Sequence, residues 1–403
     1  MFLNQRTTAW LAASMALCLV LALSSFAAPP AGKGGGSTQP PALPTGLDVR
    51  YRVQFIPLPT ASSNHVVHDV NDVHEVVGAY NDVNGLRVGY YYDAWNGSLK
   101  TANQMIPLLP AEWVSTSFVG INNYGAIVGM VQNSSGFHQC ILIYPSQYGY
   151  SYEIVSPEGM DSHFTKINDS GDIVGISWDE VGFGFAFAYN PGLFGPAAPF
   201  KFFGSPGAGW SAMQVTNTRL GTVRVGHEMS WFDFLNGQES LAQLPANERT
   251  VGQGFGLSND GQHTVSEALR EQKGKNVSYR YLPGIMNESG VYVWQGNLDD
   301  GYATLVNSAV GANLVGDVVG FNEISGVRWL RHADHLDWGY LDLGAMLVFS
   351  TPEDANRWSS IPGPGVRVWG MSDRDPTTGF GVLTGHYSGF GTEAAYVLIP
   401  IRP

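Results

Sequence analysis

Charge is scarce in this sequence. Of 403 residues only 14% are Asp, Glu, Lys or Arg, against roughly a quarter in an average globular chain. So few charges exclude solvated disorder over most of the length and argue against coiled coils and helical bundles, which need charged flanks. Basic residues are scarcer still, 21 against 34 acidic, for a net charge of -13. That leaves no basic footprint for nucleic acid or for an anionic membrane. Cysteine is nearly absent, with Cys18 and Cys140 the two present. Cys140 lies in an apolar run with Ile141, Leu142 and Ile143 and reads as a buried structural thiol. Beyond residues 10–23 there is no long hydrophobic run, and that one falls short of the ~20 residues that span a bilayer.

The N-terminus has the composition of an export signal over residues 1–27. Arg6 precedes the apolar stretch, and Ser25 and Ala27 flank a small-x-small cleavage site. Leu17, not a small residue, precedes Cys18, which argues against a lipid anchor. Cleavage removes Arg6 and Cys18, taking the charge to about -14 and leaving no cysteine pair for an internal disulfide. A large core must then do without staples. Residues 28–46 are a Pro/Gly-rich stretch without periodicity, expected to be a flexible linker, and 47–403 a single folded domain. The expected product is secreted or periplasmic, monomeric and without a stable membrane anchor.

What the chain has in abundance is glycine, 50 residues, and aromatics, 12%. Much of the glycine falls in one nine-residue pattern: apolar, Asn, two variable, Gly, variable, two apolar, Gly. It runs through Ile121, Asn122, Gly125, Val128 and Gly129, and again through Ile167, Asn168, Gly171, Val174 and Gly175. Asn313, Gly316, Val319 and Gly320 form a third copy, and Asn71, Val77 and Gly78 a fourth in which His74 replaces the turn glycine. Degenerate copies end at Gly226, Gly261 and Gly385, which makes seven units about 51 residues apart. Each is a hairpin: Asn starts a tight turn, Gly supplies positive φ at its exit, and the apolar pair opens the return strand. The final Gly permits close approach of another backbone.

A third strand follows in every unit, at residues 90–92, 140–143, 185–189, 231–234, 291–294, 327–330 and 395–399. A fourth follows in six, at 104–108, 152–155, 200–203, 241–244, 302–305 and 340–343. The missing fourth strand has its counterpart at the other end, where residues 51–58 precede the first hairpin. The expectation is an all-β, seven-bladed β-propeller of four-stranded blades, its ring closed by the N-terminal strand. An open β-solenoid or a pair of sandwiches is the alternative.

The turn, the Val-Val-Gly strand and remnants of a third-strand motif at His138 and Phe185–Phe187 resemble the HAF-type extracellular repeat of exported bacterial proteins. The resemblance covers the chain from Tyr51 onward, with units four, five and seven departing most in the turn. It implies a secreted repeat fold and carries over no catalytic residue.

Three clusters have site-like composition. His65, His68 and Asp69 lie near His74 and Glu75, but a spacing of three puts His65 and His68 on opposite strand faces. His332, Asp334, His335 and Asp337, followed by Trp338, lie in a loop between third and fourth strands and could hold a transition ion. Asp169 and Asp172 suggest calcium but occupy the repeat turn. No nucleophile elbow, zinc-protease helix, phosphate loop or dinucleotide fingerprint occurs. Loop carboxylates are available at Glu158, Asp161, Asp179, Glu180, Glu228 and Asp373.

Two insertions stand out. Residues 269–287 carry Arg270, Lys273, Lys275 and Arg280 with Tyr279 and Tyr281, and residues 343–366 carry Trp358. Both are candidate recognition loops. The reading is a non-catalytic binding or scaffold module for an extracellular glycan, a surface polymer or a protein, with no cofactor or metal expected. The alternative is a propeller-type glycan hydrolase or lyase using carboxylates at the central funnel.

Overall fold

Alternation of apolar residues with turn signals produces strands almost everywhere in this chain. The computed structural model describes residues 44–203, the strands and a few turn residues between 210 and 334, and residues 341–361, 367–389 and 392–402. The expected export signal and nearly all of the linker lie outside the described residues.

Among the described residues the strands form seven sheets, six of four strands and one of five. Sheet 1 is β2 (Ser63–Val70), β3 (Glu75–Asn81), β4 (Arg87–Asp93) and β5 (Ser98–Thr101). Sheet 2 is β6 (Trp113–Ile121), β7 (Ile127–Asn133), β8 (His138–Ser146) and β9 (Gly149–Val155). Sheet 3 is β10 (Asp161–Ile167), β11 (Ile173–Trp178), β12 (Gly184–Tyr189) and β13 (Phe200–Phe203). Sheet 4 is β14 (Trp210–Val215), β15 (Leu220–Val225), β16 (Glu228–Asp233) and β17 (Gln238–Leu241). Sheet 5 is β18 (Glu248–Leu257), β19 (Thr264–Glu271), β20 (Tyr279–Met286) and β21 (Tyr292–Trp294). Sheet 6 is β22 (Asn307–Ala312), β23 (Val318–Asn322), β24 (Arg328–Arg331) and β25 (Leu341–Asp342).

Sheet 7 joins the two ends of the chain. Its order is β26 (Leu347–Phe349), β1 (Arg50–Phe55), β29 (Thr392–Ile401), β28 (Gly381–Gly389) and β27 (Arg367–Arg374). β1 pairs antiparallel with β29, from Arg50 opposite Ile401 to Phe55 opposite Tyr396, and parallel with β26. Sheet-to-sheet contacts follow chain order: β6 on β3 and β4, β10 on β7 and β8, β14 on β11, β18 on β14, β22 on β19, and β27 on β23. β2 packs in turn on β27, β28 and β29 of sheet 7.

Each middle strand is apolar on both faces because each face meets a different sheet. Val76, Tyr90 and Tyr92 pack with Val382, Val397 and Ile399 of sheet 7. Their sequence neighbours Val77 and Tyr91 pack with Phe118, Ile127 and Ile141 of sheet 2. The low charge of the chain follows from this double burial. The pattern's last glycine has a steric cause: a Cβ on Gly129 would lie 1.9 Å from the Ser117 carbonyl oxygen, and on Gly78 2.2 Å from that of Val66.

Three strand expectations are corrected. Residues 104–108 are not the fourth strand of unit one; Ser98–Thr101 is, and α1 (Ala102–Met105) follows it. The Gln104 side chain accepts from the Thr101 backbone N–H at 2.8 Å, half of a capping box that starts a helix there. In unit four, the fourth strand is Gln238–Leu241, three residues earlier than expected. In unit five, residues 292–294 form the fourth strand, and the expected insertion supplies the third, β20.

Candidate functional site

The repeat asparagine does two jobs. Asn122 accepts from the backbone N–H groups of Tyr124 and Ala126 through Oδ1, closing its own turn, and donates Nδ2 to the Asn168 carbonyl of the next sheet at 3.1 Å. Asn71 likewise accepts from Val73 and Glu75 and donates to the Asn122 carbonyl at 2.9 Å. The following residue adds a second belt. Asp373 donates its N–H to Asp72, Asp72 to Asn123 and Asn123 to Asp169, at 2.8 to 2.9 Å. These side chains tie sheet to sheet, which explains why the pattern recurs. His74 takes the left-handed conformation its glycine counterparts adopt, with φ 68°.

The expected clusters separate. The His65 ring meets Ser62 Oγ at 2.7 Å and packs edge-on against Tyr80, while His68 does neither. Burial, reinforced by Arg87 and His163, drops the His68 pKa to about 3, and burial drops that of His163 to about 4. Both imidazoles are therefore neutral at pH 7. Asp172 is buried and accepts from the amides of Asn168 and Asn190, so its oxygens serve the turn. Among the described residues, no three His, Cys, Asp or Glu side chains gather as metal ligands would.

The candidate loop residues are dispersed. His332 is buried against Phe380, with ring centres 4.7 Å apart, and accepts from the Asp334 N–H through Nδ1. Arg374 holds Asp317 through Nε and Nη2, at 2.7 and 2.6 Å, and also reaches Asp334. This half of the cluster is therefore an ionic clasp between sheets 6 and 7. His335 and Trp338 lie outside the described residues, as do Lys273 and Lys275. Arg270 stands on β19, and Tyr279, Arg280 and Tyr281 stand on β20, with Arg270 opposite Arg280. The expected recognition loop is corrected there to paired strand, because Tyr279, Arg280 and Tyr281 continue the alternation that suits a hairpin. Trp358 lies on α4 (Pro352–Ser360), reached after α2 (Pro191–Phe194) and α3 (Leu343–Met346), and packs inward on Tyr396, Phe55 and Phe349.

A groove absent from these expectations lies between sheets 1 and 2. Its volume is about 430 Å³, and it is lined by residues 104–108 and by Tyr148, Tyr150 and Tyr152. The two latter tyrosines share one face of β9, the edge strand of sheet 2, being two residues apart. Lys100 of β5 sits 5.1 Å from the Tyr150 ring centre, and the Tyr152 hydroxyl donates to the Leu108 carbonyl at 2.9 Å. Tyr148 is 92% exposed and Leu108 85%. The alternation of tyrosines through residues 148–152 carried this signal; it was hidden because the strand was expected to begin only at Tyr152.

Aromatic faces around a floor of Met105 and Ile106, with hydroxyl, ammonium and carbonyl groups at the rim, can stack on an apolar ligand face and hydrogen-bond its edge. No family model and no curated protein sequence matches the chain. Solved structures do. The chain is similar to the β-propeller domain of the Trilobed protease from Pyrococcus furiosus, described as having an open velcro topology (TM-score 0.52, 8% identity, 85% of this chain and 94% of that one). It is also similar to an oligogalacturonate lyase in complex with manganese (0.52, 9%, 87% and 90%). A third likeness is to the Pyrococcus horikoshii acylaminoacyl peptidase (0.52, 12%, 83% and 51%). Identities this low show the fold alone. The chain has a mostly β, propeller-type architecture of antiparallel four-stranded sheets. Among the described residues no helix is long and apolar enough to cross a membrane.

Proposed function

We propose that the protein is an exported, seven-bladed propeller of the HAF-repeat type, its ring completed by β1, that binds an extracellular glycan as a non-catalytic module. The observation that carries this reading is the tyrosine groove. Tyr150 and Tyr152 stand half-buried on an edge strand with the exposed Tyr148 beside them, so a long polymer can lie along the sheet edge over the groove. Pyranose rings present an apolar face and a hydroxyl edge, matching stacked aromatic rings with polar tips. Surface polymers and proteins remain the competing occupants.

One observation favours the hydrolase or lyase reading. Asn123 Nδ2 donates to both Asp72 and Asp169, at 2.6 and 3.0 Å, bringing two carboxylates to the ~5–5.5 Å of a retaining glycosidase pair or closer. Their other oxygens accept from the Asp373 and Asn123 backbone N–H groups, so both carboxylates serve the belt between sheets. That occupation is why binding is preferred over hydrolysis.

A glycan array probed with the full-length protein, with and without added divalent metal, tests the reading. The expected result is retention of particular glycans, with loss of about tenfold or more in affinity for Tyr150→Ala and no metal requirement. Glycan release or shortening, abolished by Asp72→Asn, would reverse the preference.

A further inference from the structure

Arg328 is an unusual cation in an acidic chain. It stands on β24, is only 9% exposed, and among the described residues both Nε and Nη1 lack a hydrogen-bond partner. Its guanidinium carbon lies 4.4 Å from the ring centre of Trp358, and it hydrogen-bonds the Tyr396 hydroxyl. Among the described residues, no carboxylate forms an ion pair with it. A ring face compensates a buried cation only in part, and a planar fork with open donors suits an oxyanion.

A second guanidinium flanks the same rings. Arg357, on the exposed side of α4, lies 4.2 Å from the ring centre of Phe55, and Phe55 and Trp358 are 6.3 Å apart. α4 contributes no buried residue and is seated through the half-buried Trp358. The adjoining Phe55 and Trp358 rings thus each carry a guanidinium, Arg357 on the exposed side and Arg328 buried.

We propose that Arg328 and Arg357, either side of the Phe55–Trp358 pair, form a binding site for an oxyanion: a sulfate, a phosphate or a carboxylate. The ion is either free in solution or borne on an acidic saccharide. The site is independent of the tyrosine groove and stands whether or not that groove binds glycan.

The test is a titration of the full-length protein with sodium sulfate and sodium phosphate against sodium chloride at equal ionic strength, read by thermal unfolding and calorimetry. Saturable stabilisation by sulfate or phosphate, weakened about tenfold or more by Arg328→Met, supports the site. In chloride alone Arg328→Met should unfold no lower than the parent, because it removes an unpaired buried charge. Equal responses to all three salts, or an undiminished response in Arg328→Met, would overturn it. If Arg328→Met does not fold, Arg357→Ala decides, since that residue is exposed: an unchanged half-saturation point overturns the proposal and a raised one supports it. Glucuronate set against glucose and free sulfate separates the sources. Tighter binding of glucuronate than of sulfate assigns a saccharide-borne anion, and the reverse a free one.

Discussion

The seams joining sheets 1 to 3 and the seam joining sheets 6 and 7 start from the same repeat and are held by different chemistry. In the first, Asn71 and Asn122 each lend an amide to the next sheet's backbone, a neutral bond repeated at each step. In the second, Asn313 turns its amide to its own sheet's Asp317. Arg374 then reaches back to Asp317, whose side chain is only 1% exposed. A degenerate repeat unit has exchanged a modular amide for a single charged clasp. The regular seams combine these amide bonds with the Asp72–Asn123–Asp169 belt and a Lys166–Asp69 ion pair, whereas the irregular one relies on Arg374 with its two carboxylates, Asp317 and Asp334.

Arg374→Met should therefore be the most damaging change. It strips the buried Asp317 carboxylate of its two-pronged guanidinium partner, at a cost of about 3–5 kcal/mol in chemical denaturation. Replacing both partners, Arg374→Met with Asp317→Leu, should recover most of that loss. Failure of the double variant to recover would mean that the clasp is not the main tie. Asn122→Ala should cost less, about 2–3 kcal/mol, because it abandons one buried backbone carbonyl and two turn N–H groups to weaker partners. An Asn122→Ala loss equal to that of Arg374→Met would erase the distinction between the seams.

Acid sharpens the comparison. His68 of sheet 1 and His163 of sheet 3 are held neutral, with pKa values lowered to about 3 and about 4. The unfolded chain binds their protons below about pH 6.5, while the folded protein does not until near pH 4. Their contribution is thus present at pH 7 and is lost as pH falls from about 6.5 toward 4. By pH 5 the loss is on the order of 1–2 kcal/mol, allowing for partial solvent screening. Urea unfolding at pH 7, 6 and 5 measures it, and His68→Gln with His163→Gln should flatten the slope.

Much of the fold was legible because each repeat obeys local rules that need no knowledge of its neighbours. Asn, Gly and the Val-Val pair located the hairpins, and Gly129 was readable as a close backbone approach. Strands at sheet edges were less legible, since they pack one face and tolerate substitution. The first unit shows this: residues 104–108 look apolar enough for a strand, yet Thr101 with Gln104 begins a helix turn there. In unit five, basic residues made a strand resemble an inserted loop. The groove went unread because its wall, Tyr150 and Tyr152, belongs to one sheet and its floor to the helical turn that follows another. Arg328 was unreadable for the same reason, its ring partner lying thirty residues on.

The smallest effect is the most discriminating. Cys140 lies at the seam of sheets 2 and 3, fully buried, with its thiol 3.6 Å from Ser162 Oγ of β10 and its pKa pushed up to about 12 by burial. A thiol in that state alkylates only when the seam opens, since the reactive form is the thiolate. In a chain carrying Cys18→Ser, iodoacetamide at pH 8 should modify native Cys140 far more slowly than the urea-unfolded chain. Asn122→Ala loosens the joint beside Cys140 and should speed labelling by about tenfold, while hardly changing the far-ultraviolet circular dichroism. Arg374→Met, although the larger loss overall, acts on another seam. Below its unfolding transition it should leave the labelling rate within about twofold of the parent. Equal acceleration by the two variants would show that the sheets open together, and the seams would then differ in chemistry without being separate units of stability.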